Sequence, residues 1–281
     1  MHMLDSLLPQ MTKEMEIIIV EQDNSDIFTI WPYIKKLHIT AQYIYCPKPT
    51  PSRAKNIGVQ SARGRSIIFF DDDVLMRPKC IQNLVSALKD MSVGLVGGRV
   101  ITIGQPIEEN RTDVGKISPL TGFSDGFSSI IPQDVDTVIG CCMAIRKEVF
   151  QQVGGFDEQF DGNALREESD LAIRLKKIGY RILFYPKAEV THMRAETGGA
   201  RKNDNRMYWY YHFFSNETYF FLKHRPWILL PFFILSRWEY ILRCMFGLGR
   251  EISFRSILMP WRGIGDGLYK FIKYKVCKVI K

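Results

Sequence analysis

Residues 66–73 read Ser-Ile-Ile-Phe-Phe-Asp-Asp-Asp, and this stretch decides the fold. The four apolar residues after Ser66 have the pattern of a strand buried on both faces, and three carboxylates end it abruptly. In open α/β sheets, ligands bind beyond the carboxyl ends of the strands, which is where these carboxylates are expected. The stretch therefore predicts a buried strand that delivers acidic side chains to a ligand site.

Strands and helices alternate on both sides of this stretch. The alternation predicts an α/β layer fold with a largely parallel central sheet. Residues 104–134 are rich in Gly, Pro, Ser and Asp, which predicts a long loop over a site. The apolar patterns predict further strands at 16–20, 94–103, 136–145 and 181–185, and helices at 52–62, 78–89 and 165–178.

The composition is that of a chain with a sizeable core. Of the 281 residues, 46% are hydrophobic and 24% are charged, which excludes wholesale disorder and collagen-like or disulfide-scaffold proteins. The net charge of +8 is uneven, because residues 201–281 contain 15 Lys and Arg against 5 Asp and Glu. We therefore expect a domain over 1–200 and a basic helical tail over 201–281.

The cysteines and the N-terminal residues indicate the compartment. The six cysteines form no Cys-x-x-Cys pair and no zinc spacing, so they are interpreted as small buried residues in a reducing environment. No signal peptide pattern opens the chain, and the uncharged stretch 226–236 is too short to cross a bilayer. These observations predict a cytoplasmic protein.

The acidic triplet is the sharpest chemical signal. Asp71 and Asp73, as alternate carboxylates, are suited to hold a hard divalent cation and, through it, a diphosphate. An isolated acidic triplet is more often a solvated turn or a helix cap, but its position after a buried strand favours a metal site.

Three further groups are candidates for the same site. Glu167 and Glu168 open an amphipathic helix, whose dipole favours the ionised carboxylate that a general base requires, although simple dipole complementarity explains them equally well. His192 follows a strand and could complete a carboxylate metal site, although a lone histidine is more often structural. Arg53 and Lys55 lie near a helix start, where they could hold phosphate oxygens or simply be solvated.

The segment from residue 205 is dense in aromatic residues. Over 235–246, apolar residues including Trp238 and Phe246 fall on one arc of a helical wheel, and Arg237, Glu239 and Arg243 fall opposite. This pattern is typical of a helix lying in a membrane surface, and equally of one packed on the globular domain. Binding of nucleic acid ranks last, because no nucleic-acid motif accompanies the basic residues.

Taken in order, these elements resemble the family 2 glycosyltransferases. Six pieces carry the resemblance between Met3 and His192: residues 16–21, 54–58, 69–73, 154–158, 167–171 and 186–192. The resemblance implies a Rossmann-like GT-A glycosyltransferase fold. It also implies inverting transfer of a sugar from a nucleotide-diphosphate donor to an acceptor hydroxyl, with Mn2+ or Mg2+ as the divalent cation.

The resemblance also assigns residues. Asp71 and Asp73 match the family's metal-binding Asp-x-Asp motif, and His192 resembles a further metal ligand. Glu168 matches the catalytic base, which is usually an aspartate, and Glu167 is the alternative. The residues expected at the nucleotide sugar are Glu21, Asp23, Arg53, Lys55, Asp71 and Asp72.

The chain departs from the family pattern in two places. It starts inside what resembles the first helix, so the usual first strand is expected to be missing and the domain N-terminally shortened. The Gln-x-x-Arg-Trp motif of processive members is absent, since Ile234 stands in place of the glutamine before Arg237 and Trp238. Addition of a single sugar is therefore favoured over polymerisation.

We expect a glycosyltransferase of surface polysaccharide synthesis that adds a sugar to a glycan or lipid-linked acceptor. The tail predicts peripheral contact with the inner face of the cell membrane, and no nucleic-acid partner is expected. Two alternatives remain open: a non-catalytic, truncated relative that binds membrane or a partner, and a nucleotidyltransferase, which also uses acidic residues and metal. The Glu167–Leu171 element argues against the second alternative.

Overall fold

The computed structural model describes residues 2–22, 39–47, 50–119, 121–193, 206–246 and 254–280. The strands are β1 (Glu16–Glu21), β2 (Thr40–Tyr45), β3 (Ser66–Phe70), β4 (Val74–Met76), β5 (Val93–Thr102), β6 (Gln133–Asp134), β7 (Cys142–Arg146) and β8 (Arg181–His192). The helices are α1 (His2–Leu7), α2 (Pro51–Ser61), α3 (Cys80–Ala87), α4 (Lys147–Gln152), α5 (Glu167–Lys177), α6 (Arg206–His224), α7 (Leu230–Ser236), α8 (Trp238–Phe246) and α9 (Phe254–Ile280).

The main sheet has the strand order β3-β7-β5-β8-β4, and β6 pairs with β8. A second sheet consists of β1 and β2, which run parallel. One hydrophobic cluster contains Leu171 and Leu175 of α5, and another contains Ile81 and Leu84 of α3, each with residues of the main sheet. The predicted α/β class with C-terminal helices is therefore confirmed.

The main sheet contains more antiparallel pairing than the alternation of strands and helices in the sequence suggests. Strands β5 and β8 run parallel, as predicted, but β3, β4, β6 and β7 are antiparallel to their described neighbours. Parallel pairing needs a crossover connection, usually a helix. The described residues between β5 and β7 are loops and the short β6, so no helical crossover is seen there and β7 runs against β5.

Two strand predictions need correction. The strand predicted over 136–145 begins at Cys142, because the backbone amides of Asp136 and Thr137 both donate to Gly115 O rather than to a neighbouring strand. The strand predicted to end at Tyr185 continues to His192 despite Pro186. A register shift between β5 and β8 lies at this point, so proline falls where regular pairing is already interrupted.

Glycine allows the close approach of β8 to β5 at this shift. A Cβ atom at Gly98 would lie 2.5 Å from Cys142 Sγ and 2.6 Å from Ala188 O, both shorter than real Cβ contacts. Only a residue without a side chain fits between these two neighbours. The centre of the sheet therefore depends on glycine at this position.

The C-terminal helices pack on the α/β unit. On α6, Tyr219 is fully buried and donates to Asp157 Oδ2 at 2.6 Å, and Lys223 Nζ contacts Asp170 at 2.7 Å. Helix α9 lies against α6, where Ser215 Oγ donates to Asp266 Oδ2. The aromatic residues of α6 are thus largely core residues, which is the packed arrangement rather than an exposed face for this helix.

Candidate active site

The acidic turn between β3 and β4 meets the end of β8. Antiparallel pairing places Val74 opposite His192, and the Met193 amide donates to Asp73 O at 2.9 Å. This register brings the imidazole to the turn, and Asp71, Asp73 and His192 each offer a ligand atom within 4.8 Å of the others. The three residues predicted as metal ligands are therefore brought together.

The donor set fits a divalent cation. His192 Nε2 is buried and lies 3.1 Å from Asp73 Oδ1, yet it makes no hydrogen bond with any residue that the structure describes. A buried imidazole nitrogen beside two carboxylates is a common arrangement for a transition-metal ligand. Asp72, the middle residue of the triplet, is exposed and is not part of this group.

The second half of the site is the first turn of α5. Glu167 is 3% exposed, and its Oε1 accepts a short hydrogen bond from Lys55 Nζ of α2. Burial opposes the charged ammonium, but Glu167 and Asp71 outweigh it and raise the pKa of Lys55 above its ordinary value. Lys55 is thus a fixed positive charge between the acidic turn and α5.

Glu168 is the carboxylate poised for proton transfer. Its burial, together with the adjacent Glu167 carboxylate, raises its pKa to about 7. It is only half-buried, whereas Glu167 is nearly inaccessible and paired with Lys55. Of the two glutamates, Glu168 therefore has the better access, and its raised pKa suits a general base at neutral pH.

Asp170, two residues further along α5, has a different environment. His224 Nε2 and Lys223 Nζ each lie 2.7 Å from its Oδ1, and Arg174 Nε donates to its Oδ2 at 2.8 Å. Burial favours the neutral acid, but His224, Arg174 and Lys223 hold the pKa of Asp170 well below its ordinary value. Asp170 is therefore a permanently ionised structural carboxylate.

The residues predicted at the nucleotide sugar are more dispersed. Glu21 is the half-buried last residue of β1, and its carbonyl accepts a hydrogen bond from the Cys46 amide at 2.8 Å. Arg53 is an exposed residue on α2, two residues before Lys55, and therefore lies on a different face of the helix from Lys55. Asp23 lies outside the described residues. A contact of these residues with a nucleotide stays a prediction.

Sequence reasoning missed a buried ionic cluster beside α5. Glu217 of α6 accepts from Arg166 Nε at 2.5 Å and makes a second ion pair with Arg237. All three side chains are almost fully buried. One signal in the sequence points to this cluster. Glu217 is the only acidic residue in the aromatic-rich stretch 206–224, and a glutamate in a buried stretch is expected to be paired.

Comparison with known protein families assigns this sequence to one of them. The protein-family model described as glycosyl transferase family 2 matches residues 2–154 of the sequence. A second family model, described as the N-terminal domain of galactosyltransferase, matches residues 123–196. The first match covers more than half of the sequence. The chain belongs to glycosyltransferase family 2.

Individual relatives support this assignment. The N-acetylglucosaminyl-diphospho-decaprenol L-rhamnosyltransferase of Mycobacterium tuberculosis is 36% identical over 121 residues, which cover 42% of this chain. The aligned part spans only 35% of that relative's length.

Two solved structures share the fold. GalNAc-T7 with UDP, GalNAc and Mn2+ aligns with a TM-score of 0.57 and 16% identity, covering 88% of this chain and 54% of that one. The mannosyltransferase PcManGT of Pyrobaculum calidifontis, in complex with GDP-Man and Mn2+, aligns with a TM-score of 0.55 and 15% identity, covering 98% and 70%. The predicted GT-A-type fold is confirmed by these likenesses.

Proposed function

We propose that this chain transfers a single sugar, with inversion, from a nucleotide-diphosphate sugar to a hydroxyl of a glycan or lipid-linked acceptor. One observation carries the proposal. The Lys55 ammonium pairs with Glu167 and interacts electrostatically with both Asp71, a member of the group Asp71, Asp73 and His192, and the half-buried Glu168. A cation-binding group and a base of suitable pKa are the two elements that direct displacement at an anomeric carbon requires.

The residues divide the chemistry between them. Glu168 takes the proton of the acceptor hydroxyl as its oxygen bonds to the anomeric carbon and the bond from that carbon to the diphosphate breaks. Asp71, Asp73 and His192 would hold Mn2+ or Mg2+, which supplies positive charge for the departing diphosphate when it is bound. Lys55 fixes Glu167 and adds a positive charge beside the same site.

The substrates are proposed from chemistry and from likeness. The complexes of similar folds contain UDP or GDP-Man, and we propose that Glu21, Asp23, Arg53 and Asp72 contact the nucleotide sugar here. The name of the mycobacterial relative describes a lipid diphosphate acceptor. A lipid-linked acceptor in surface polysaccharide synthesis is therefore the acceptor class we propose.

We also propose that the C-terminal helices contact an anionic membrane surface at the cytoplasmic face. No helix among the described residues is long and apolar enough to cross a membrane. Around α7 and α8, however, large apolar side chains are exposed, including Trp227 (75%), Leu235 (67%) and Phe232 (60%). The exposed Arg255 and Arg262 of α9 add positive charge, and this combination is typical of a surface lying on anionic lipid.

Vesicle co-sedimentation tests the membrane proposal. The triple variant Trp227→Ser/Phe232→Ser/Leu235→Ser should lose binding to phosphatidylglycerol vesicles. The matched triple variant Met91→Ser/Ile103→Ser/Ile107→Ser, which removes exposed apolar residues elsewhere, should keep it. Equal binding of both variants, or no binding by the unmodified chain, would overturn this part of the proposal.

Product analysis tests the activity itself. The chain is incubated with UDP-, GDP- and dTDP-sugars, Mn2+ and a polyprenyl-diphosphate-linked sugar, and the released nucleotide is identified. Release of nucleoside diphosphate that depends on metal and on Asp73 supports sugar transfer. In a parallel incubation with a nucleoside triphosphate and a sugar 1-phosphate, release of inorganic pyrophosphate with formation of the nucleotide sugar would favour a nucleotidyltransferase. Absence of both nucleotide binding and turnover, with every donor, would favour the non-catalytic alternative.

A further inference from the structure

The polypeptide enters α5 in an unfavourable conformation. Ala164 (φ +49°) and Arg166 (φ +78°) both lie in the left-handed region, which residues with a side chain rarely adopt. Such residues persist only where the surrounding structure holds them, and they cluster at functional sites. The residues that immediately follow are the two glutamates of the candidate active site.

Helix α6 holds this entry from outside the α/β unit. Arg166 is 6% exposed, and its Nε donates to Glu217 Oε1, whose side chain is 1% exposed. Burial alone would raise the pKa of Glu217, but Arg166 and Arg237 outweigh it and keep the pKa below its ordinary value. Glu217 is therefore ionised, and it neutralises a guanidinium at the N-terminus of α5.

The same carboxylate reaches a second element. Arg237 pairs with the other oxygen of Glu217 and donates to the carbonyl of Thr121, and its guanidinium lies 4.0 Å from the centre of the Phe123 ring. One buried carboxylate thus joins two buried guanidiniums and connects α6, the residue after α7, and the loop before β6. Removing a shared partner from a buried ion pair leaves the other charges unneutralised.

Helix α6 also holds the other side of the same turn. Two helical turns beyond Glu217, Lys223 and His224 contact Asp170 of α5. Two backbone hydrogen bonds join residues within the segment 164–170 itself. Glu167 N donates to Ala164 O at 3.1 Å, and Asp170 N donates to Arg166 O at 2.9 Å. The first turn of α5 is therefore fixed by α6 both before and after Glu168.

We propose that Glu217 is a positioning residue, which acts through Arg166 to hold the first turn of α5 and the Glu168 carboxylate in the geometry of transfer. This inference rests on the proposed function, in which Glu168 is the base. Glu217 itself touches no reacting atom. Misplacement of a reacting group by about 1 Å costs on the order of 100-fold in rate. Loss of a positioning contact should therefore be measurable as a lower kcat.

The test compares three variants on α6 in the full chain. Glu217→Gln keeps the shape and removes the charge, and Glu217→Asp keeps the charge on a shorter side chain. Ser215→Ala is the matched control, because Ser215 is buried on the same helix but its hydroxyl bonds only to Asp266 and Lys270 of α9 in the described structure. Hydrogen exchange by mass spectrometry and steady-state kinetics are measured for each.

We expect Glu217→Gln to accelerate exchange in the segment 164–170 and to lower kcat about tenfold or more, with the KM for the donor within about twofold of the original. Glu217→Asp should recover part of the kcat, and Ser215→Ala should change neither the exchange of 164–170 nor kcat. Unchanged exchange in 164–170 for Glu217→Gln, or a kcat equal to that of Ser215→Ala, would overturn the proposal.

The two proposals fail separately. If the unmodified chain turns over no donor, the proposed function fails. The exchange comparison then still decides whether Glu217 holds the turn that carries Glu168.

Discussion

Lys55 Nζ and Glu167 Oε1 form an ion pair across 112 residues of sequence, and this pair joins α2 to the first turn of α5. The glutamate is nearly inaccessible, whereas the lysine side chain keeps 19% of its exposure. The contact links the segment proposed to face the donor with the segment proposed to carry the base.

The first prediction concerns this pair. Lys55→Met should destabilise the fold by about 3 kcal/mol, because it leaves the buried Glu167 carboxylate without its cation. The change is measured as a lower midpoint of unfolding in urea at pH 7. Arg53→Met, on the same helix but exposed, is the control and should shift the midpoint little. Equal effects of the two substitutions would show that the ion pair adds no stability.

The second prediction concerns Glu168→Gln. Removing the base should lower kcat by about 100-fold or more while donor binding is retained. Calorimetry of the nucleotide and a turnover assay separate the two effects. Glu168→Asp, the residue commoner in the family, should keep measurable turnover. A kcat for the Gln variant close to that of the original chain would assign the base elsewhere.

The third prediction concerns stability at Glu168. Its pKa is raised to about 7, so between pH 4.5 and 7 the folded state binds more protons than the unfolded state, and stability falls as pH rises through this window. Above pH 7 the ionised, half-buried carboxylate costs stability that glutamine does not. We expect Glu168→Gln to raise the Tm at pH 8 and to leave it nearly unchanged at pH 4. A lower Tm at pH 8 would contradict the assigned pKa.

The fourth prediction is the pH dependence of turnover. Since a base acts in its ionised form and kcat/KM reports the free enzyme, kcat/KM for the donor should rise about tenfold per pH unit below pH 7 and level off above it. The profile is recorded from pH 5.5 to 8.5 at donor concentrations well below KM. A rate that is flat across this range would mean that Glu168 does not titrate in the rate-determining step.

The fifth prediction separates two neighbouring carboxylates. Asp73→Asn should abolish binding of Mn2+ measured without nucleotide, because Asp73 belongs to the group that could hold the ion. Asp72→Asn makes the same chemical change in the same turn at an exposed position, and should keep metal binding. Electron paramagnetic resonance of free Mn2+ measures both. Comparable loss in the two variants would place the metal differently.

Local patterns predicted much of this structure, and long-range register accounts for what they missed. The strand 66–70 and the helix from 167 follow from apolar periodicity and charge, which act within a few residues. The approach of His192 to Asp73 depends on the register of β4 against β8, which no local pattern encodes. The pairing of Glu217 with Arg166 and Arg237 is equally non-local, because burial rather than propensity brings those three charges together.

The close contacts at Gly98 have a consequence for how this protein can vary. Cys142 Sγ and Ala188 O leave no space for even a methyl group there, and they belong to two different neighbouring strands. Any larger residue at position 98 would require both neighbouring strands to change at the same time. A single substitution of Gly98 is therefore not expected to be tolerated. In a saturation library, the centre of β5 should therefore tolerate few replacements. Diversity intended to alter sugar or acceptor preference belongs at the strand ends and in the loops beyond them.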